Sequence, residues 1–411
     1  MKKGKITTII TAGILGVIMT TGFNSCKIDE LVDPNNPSLE GVESNATIDE
    51  MNNLVAGMEA GMRTRLETYI DDCGVIGREY YRFSGADPRF TSDLLGKGSA
   101  VLDNNTFYLV NPWANRYRVV RNGWILRNAV ANTSAPITEA DANGYTGFAK
   151  TIMAYQMLLN LNLTYTNGIR VDVEDPDNMG PIVSYSESLA AIRAMLDDGA
   201  DDLSNAGDAF LFSLSSGFAG FETPATFRLF NRALAARIAI YQENWAQAIS
   251  DLSESFLSVG GDLATGVYHI YSTSAGDELN QLYYPANSSP GGNTRCAHNS
   301  FKDDAIPTDT RLNKVGLRDE TAFQDDLSSD YDVLIYTSST SPVCIIRNEE
   351  LILISAEANA QLGNTATAVA AINAIRASAG LGAYGGAVTT EALIDEILFQ
   401  RRYSLFAEGH R

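Results

Sequence analysis

Apolar residues return at every third or fourth position along most of the chain. Ile48, Met51, Leu54, Val55, Met58, Met62 and Leu66 make one such stripe, which predicts a helix opened by Asn45 or Thr47. Trp113 to Val130 repeats the pattern, with Tyr117, Val120, Trp124 and Ile125 on one face. Phe148 to Tyr165 and Ser188 to Leu203 behave alike. Alternation of period two is scarce, and short strands are expected only near Ile169–Val173 and Val333–Tyr336. The fold class is therefore all-α, with at most minor β-structure.

Two further stretches share one plan. Ala233, Ala236, Ile240 and Tyr241 lead to Gln242-Glu243-Asn244, after which Trp245-Ala246-Gln247-Ala248-Ile249 opens a second helix. Leu351, Ala356, Ala358 and Ala360 lead likewise to Leu362-Gly363-Asn364, then to Ala368, Ala371, Ile372 and Ile375. Small residues at the crossings let antiparallel helices approach closely, as in tetratricopeptide repeats. Residues 148–163 with 188–203 form a third pair, and Thr389–Phe406 begins a fourth. A generic bundle of helix hairpins is the alternative, but degenerate repeats separated by long irregular loops fit the spacing better. Those loops, roughly 70–112, 164–187, 204–224 and 258–347, are where function is expected.

The N-terminus reads as an export signal. Lys2, Lys3 and Lys5 precede an uncharged run from Ile6 to Phe23, and Asn24-Ser25-Cys26 follows. A lone Cys just after such a run resembles the lipobox of bacterial lipoproteins, in which the thiol is acylated. Residues 1–25 are then a signal peptide, Cys26 is the lipidation site, and residues 26–46, with Pro34 and Pro37 among asparagines, form an extended tether. Acyl chains contribute roughly 0.8 kcal/mol of membrane affinity per buried CH₂. Lys27-Ile28-Asp29-Glu30 is similar to the acidic signals that send lipoproteins of the Bacteroidetes to the cell surface. Residues 47–411 make a single domain.

Composition narrows the chemistry. A formal net charge of −20 over 411 residues repels phosphate backbones, which argues against nucleic acid. No phosphate-binding loop, His-Glu-x-x-His or Gly-x-Ser-x-Gly occurs, and three histidines are few for a metalloenzyme. The Asp172–Asn178 cluster lacks the Gly and Glu of a calcium loop and reads as a solvated acidic loop. Cys296-Ala297-His298 offers two ligands without a third or fourth, so no metal and no cofactor is expected. Cys73, Cys296 and Cys344 allow at most one disulfide, with buried free thiols the alternative.

Binding is better supported than catalysis. Sugar rings present C–H faces that pack on flat aromatic rings, with Asn, Asp, Arg or Gln beside them for the hydroxyls. Tyr283, Tyr284, Asn287 and Asn293 are the leading candidates, because the Pro285 to Gly292 stretch lacks core periodicity. Tyr80, Tyr81, Arg82 and Trp113 follow, with Tyr108, Asn111, Tyr268 and Tyr271.

Three C-terminal segments resemble the SusD/RagB family of outer-membrane nutrient-binding lipoproteins. Arg347-Asn348-Glu349-Glu350-Leu351 through Ala358 is similar to that family's R-x-A-E-x-x-L-x-x-A-E-A helix. Ala371-Ile372-Asn373-Ala374-Ile375-Arg376 through Leu381 is similar to L-N-x-V-R-x-R-A-G-L. Gln400-Arg401-Arg402 through Glu408-Gly409-His410-Arg411 is similar to E-R-R-x-E-L-x-x-E-G-x-R. Ser378 and Ser404 depart from the pattern. Family members continue past this point with an aromatic and an Asp-Leu-Arg segment, so the resemblance implies a truncated C-terminal end. It also implies a SusD-like fold and a non-catalytic, surface-anchored protein. Such a protein binds oligosaccharides, or less often peptides, and passes them to a SusC-like TonB-dependent transporter. A tetratricopeptide-like scaffold for protein partners and a surface hydrolase are the rival readings.

Overall fold

The computed structural model describes residues 39–410; the leader, Cys26, most of the tether and Arg411 lie outside the described residues. The chain divides into a unit ending at Val42 and a body from Glu43 onward. Helix α1 (Leu39–Asn45) forms where the composition predicts extended chain through residue 46.

In the body, local capping chemistry fixes where the helices start. α2 (Ile48–Arg63) opens on a capping box: the Glu50 N–H donates to Thr47 Oγ1 at 3.2 Å, and the Thr47 N–H donates to Glu50 Oε2 at 2.8 Å. The same device opens α5 (Glu139–Thr164) at Thr138 and Asp141, and α6 (Tyr185–Asn205) at Ser184 and Glu187. α3 (Leu66–Ile76) follows Arg65, which turns the chain at φ 60°. α4 (Phe107–Asn132) begins six residues earlier than the Trp113 stripe predicts and carries Pro112 inside it. Pro112, the sixth residue of the helix, has no N–H to donate to the Tyr108 carbonyl, and its ring crowds that carbonyl.

α5 is the central element. Thr151 to Leu161 is buried all round, so its apolar pattern has no polar face. α4 and α6 pack on it, and α7 (Pro224–Tyr241) packs on α6. The α5–α6 crossing depends on glycine: a Cβ at Gly147 would lie 2.6 Å from Leu203 Cγ and 3.0 Å from the Gly199 carbonyl. α8 (Trp245–Ser253) pairs with α7, and α10 (Thr365–Ser378) pairs with α9 (Asn348–Gln361). α11 (Thr390–Ser404) packs on α9. The two turns match in detail. The Asn244 N–H donates to the Ala239 carbonyl at 2.9 Å across a left-handed Glu243, and the Asn364 N–H donates to Asn359 at 2.8 Å across a left-handed Gly363. The paired-helix expectation holds. Among the described residues no helix is long and apolar enough to cross a membrane.

The long loops hold more strand than the sequence predicts. β1 (Tyr80–Phe83), β5 (Thr294–Ala297), β7 (Leu327–Val333) and β6 (Val315–Gln324) form an antiparallel sheet in the order β1-β5-β7-β6. The strand expected at Val333–Tyr336 is the end of β7, which stops at Val333. β2 (Ile169–Arg170) and β3 (Ile182–Val183) make a short hairpin, shorter than the Ile169–Val173 expectation. β4 (Gly266–His269) pairs with β8 (Val343–Arg347), which leads directly into α9.

Buried ion pairs join the segments that carry the sequence signature. Arg237 of α7 donates twice to Glu350 of α9, at 2.6 Å each. Arg347 bridges Glu349 at 2.6 Å and also pairs with Glu408. Tyr69 Oη donates to the Gly409 carbonyl at 3.0 Å, which ties the C-terminal turn to α3. Glu408-Gly409-His410 is thus a packing motif, as its single histidine indicates.

Candidate functional site

One buried carboxylate organises the middle of the sheet. Asp71, on α3, takes Arg295 Nε at 2.6 Å and Nη2 at 2.7 Å, and it also accepts from Arg82 and from Tyr80 Oη at 3.0 Å. Burial alone would raise its carboxyl, but the two guanidiniums hold it below the usual carboxylate range. The next residue, Asp72, has no such partner, and burial with the Asp71 charge pushes it well up.

Arg295 also reaches outward. Its Nη1 donates to the carbonyls of Gln281 at 3.0 Å and Leu282 at 3.1 Å, and its guanidinium carbon lies 5.4 Å from the centre of the Tyr284 ring. Tyr283 and Tyr284 are half-buried, and neither hydroxyl has a hydrogen-bond partner among the described residues. Asn287 is held through both faces of its amide: Nδ2 donates to Asp319 Oδ2 at 2.8 Å, and Oδ1 accepts the Asp319 N–H at 2.9 Å. Its own N–H donates to Asp332 at 2.6 Å, and Asp332 is paired in turn with the buried Arg318. Asn287 and Asn293 both adopt left-handed backbone, at φ 59° and 66°. At the far end of the excursion the Gly291 turn touches Gly85, where a Cβ would lie 2.8 Å from the Gly291 carbonyl.

The 280–293 excursion therefore brings Tyr283, Tyr284, Asn287 and Asn293 onto one anchored segment over β5 and β7. The other candidates sit elsewhere. Tyr80 is 1% exposed in β1, with its hydroxyl spent on Asp71 and the Ile70 carbonyl, so the reading of Tyr80 as a ligand contact is corrected to a core residue. Tyr81 is buried in a stack on Phe83 with ring centres 5.4 Å apart, and Arg82 lies on the Phe90 ring against Asp71. Both are structural for the same reason: strand β1 is covered on its two faces. Trp113 packs edge-on to Tyr117 in α4, at 5.0 Å. Tyr108 is buried, while Tyr268 and Tyr271 flank a cleft beside α2.

Arg295, Asp71 and Arg318 were not legible as site-building residues. Each pairs with a residue distant in sequence, and no local motif marks them. Among the described residues no three His, Cys, Asp or Glu side chains converge as a metal ion would need, and Cys73, Cys296 and Cys344 are free.

Residues 280–411 match the SusD family model, a span that begins with this excursion. No curated protein matches the sequence significantly. Solved structures share the fold. Surface glycan-binding protein A from Bacteroides uniformis superposes with a TM-score of 0.66 at 15% identity, covering 89% of this chain and 87% of that one. A SusD superfamily protein from Bacteroides vulgatus gives 0.66 at 17% identity, covering 88% and 86%. One from Bacteroides thetaiotaomicron gives 0.61 at 18% identity, covering 89% and 88%. The all-α expectation holds, with a SusD-like arrangement throughout the body.

Proposed function

We propose that this is a SusD/RagB-family protein that captures carbohydrate without chemical turnover, a reading supported by the family-model match over its C-terminal third and by its SusD-like fold. The 280–293 excursion is the binding surface. Tyr284 offers a ring to the C–H face of a sugar, Tyr283 offers a second ring and a free hydroxyl, and Asn293 supplies amide contacts. Asn287 and Arg295 keep the segment in place. Preorganisation of this kind reduces the ordering cost of binding. The observation that carries the reading is the placement of Tyr284: a half-exposed ring on a buried, doubly anchored arginine, inside the span that matches the family.

The full reading places the protein on the outer face of the outer membrane. Acyl chains on Cys26 anchor it there, and it passes oligosaccharides to a SusC-like TonB-dependent transporter. Metabolic labelling with a fatty acid tests the anchor, and Cys26→Ser should abolish incorporation. Calorimetric titration with a panel of oligosaccharides tests the surface. Tyr284→Ala should weaken the best ligand by about 1–3 kcal/mol, the range of a binding hot spot, with an unchanged melting temperature. Unaltered affinity would remove this excursion from the function.

A further inference from the structure

A cleft of about 340 Å³ opens between α2, the Ser213–Phe218 loop and the chain that leaves β4. Ala56 and Ala60 of α2 line it together with Phe218 and Tyr268. Its polar groups are fixed in advance. Both Glu59 oxygens accept the Ser215 N–H, at 3.2 and 3.3 Å. Arg63 Nη1 meets Asp277 Oδ1 at 2.6 Å and donates to the Ile270 carbonyl at 2.7 Å.

His269, also in the lining, is 3% exposed, and its Nε2 has no hydrogen-bond partner among the described residues. Burial, with the Arg116 and Arg63 charges, lowers the ring to about 3, so at neutral pH it is an uncharged donor and acceptor. The ring thus forms part of the cleft wall, where a bound ligand would alter its surroundings.

The charges select the ligand class. Arg63 already neutralises Asp277, so a metal ion would find Glu59 without a second free carboxylate. An anion would face both acids across a single paired guanidinium, and burial already raises the Glu59 carboxyl. A neutral polyhydroxylated ring meets neither obstacle. Its hydroxyls donate to Glu59 and Asp277 and accept from Arg63, while its C–H face lies against Tyr268, the partly exposed ring of the lining. Ligand pockets span roughly 300–1,000 Å³, and this cleft lies at the small end, with room for one ring.

We propose that this cleft is a second binding site, for a single neutral sugar ring, separate from the 280–293 surface. The test is an NMR titration of the full chain, following the His269 imidazole, one of three histidines to assign. D-Glucose, D-galactose, D-mannose and N-acetyl-D-glucosamine are the probes, with galacturonate and glycine for comparison. At least one neutral sugar should shift His269 saturably and more tightly than either charged compound. Ala60→Phe, which fills the cleft from an exposed helix position, should weaken that response at least about tenfold, and Glu59→Gln should weaken it too, both with native melting temperatures. The proposal is overturned if no neutral sugar moves His269, if the response survives Ala60→Phe, or if a charged compound binds more tightly. The readout belongs to His269, so failure here leaves the oligosaccharide titration of Tyr284→Ala to be judged on its own.

Discussion

At the scale of single residues, burial decides more than residue type. Tyr80, Tyr81 and Tyr284 look alike in sequence, yet the first two are consumed by the sheet and the third lies over Arg295. The difference comes from Asp71, whose partners lie up to 224 residues away, and no local pattern carries that information. Removing Arg295 would strip the buried Asp71 of its doubly bonded guanidinium and leave it only Arg82 and Tyr80, a loss of up to about 3–5 kcal/mol, so Arg295→Ala tests stability and not binding. The cysteines follow the same logic. Burial pushes the thiols of Cys73, Cys296 and Cys344 up to about 12. A thiolate is the reactive species, so all three should resist iodoacetamide at pH 8 in the native protein and react together in urea. Mass spectrometry after brief labelling reads this directly, and fast native labelling of any one would place its thiol in solvent.

At the scale of elements, the helices were legible because their signals are local. Thr47 with Glu50 marks the start of α2, and the stripes mark the buried faces; Thr138 with Asp141 opens α5 nine residues before the Phe148 stripe, and Ser184 with Glu187 opens α6 three residues before Ser188, starts that the stripes alone do not show. The sheet was not. β1 pairs with β5 across more than two hundred residues, and the β6–β7 hairpin turns through Asp325-Asp326 at φ 52° and 61°, without the glycine that would announce it. The repeated turn yields a prediction of its own. Gly363 takes the left-handed position without strain, whereas Glu243, exposed at the equivalent place, takes it with a Cβ. Glu243→Gly should therefore stabilise the protein by up to about 1 kcal/mol, and Gly363→Ala should destabilise it by a similar amount. Chemical denaturation of both variants measures the pair. Opposite signs are expected, and equal signs would mean that the two turns are not equivalent.

At the scale of the whole body, the C-terminal turn closes the structure onto α3 and β1. Arg347 holds Glu408, Tyr336 Oη donates to the Ala407 carbonyl at 3.1 Å, and the Ala407 N–H donates to Glu79 at 3.0 Å. The sequence marked this segment through its family signature, but it did not reveal that Glu79 is the acceptor. Burial raises the Glu79 carboxyl from 4.5 to about 7, against the smaller opposing effect of the Ala407 N–H. The folded form thus retains a proton that the unfolded chain releases. Glu79 supports folding fully below pH 4.5 relative to its ionised state, and that support is lost as pH rises to 7. His269 and His410 act in the opposite direction, because burial lowers them to about 3 and about 4 and the unfolded chain takes up protons near 6.5. The net curve of the wild type mixes these effects, so the comparison must be made against Glu79→Gln. Its amide oxygen still accepts the Ala407 N–H and does not titrate. Between pH 5 and pH 8 the stability of Glu79→Gln relative to wild type should rise by up to about 3 kcal/mol, the linkage value of a shift this size. Urea titrations at four or five pH values give the difference curve, and a flat one would mean that Glu79 ionises as it does in the unfolded chain.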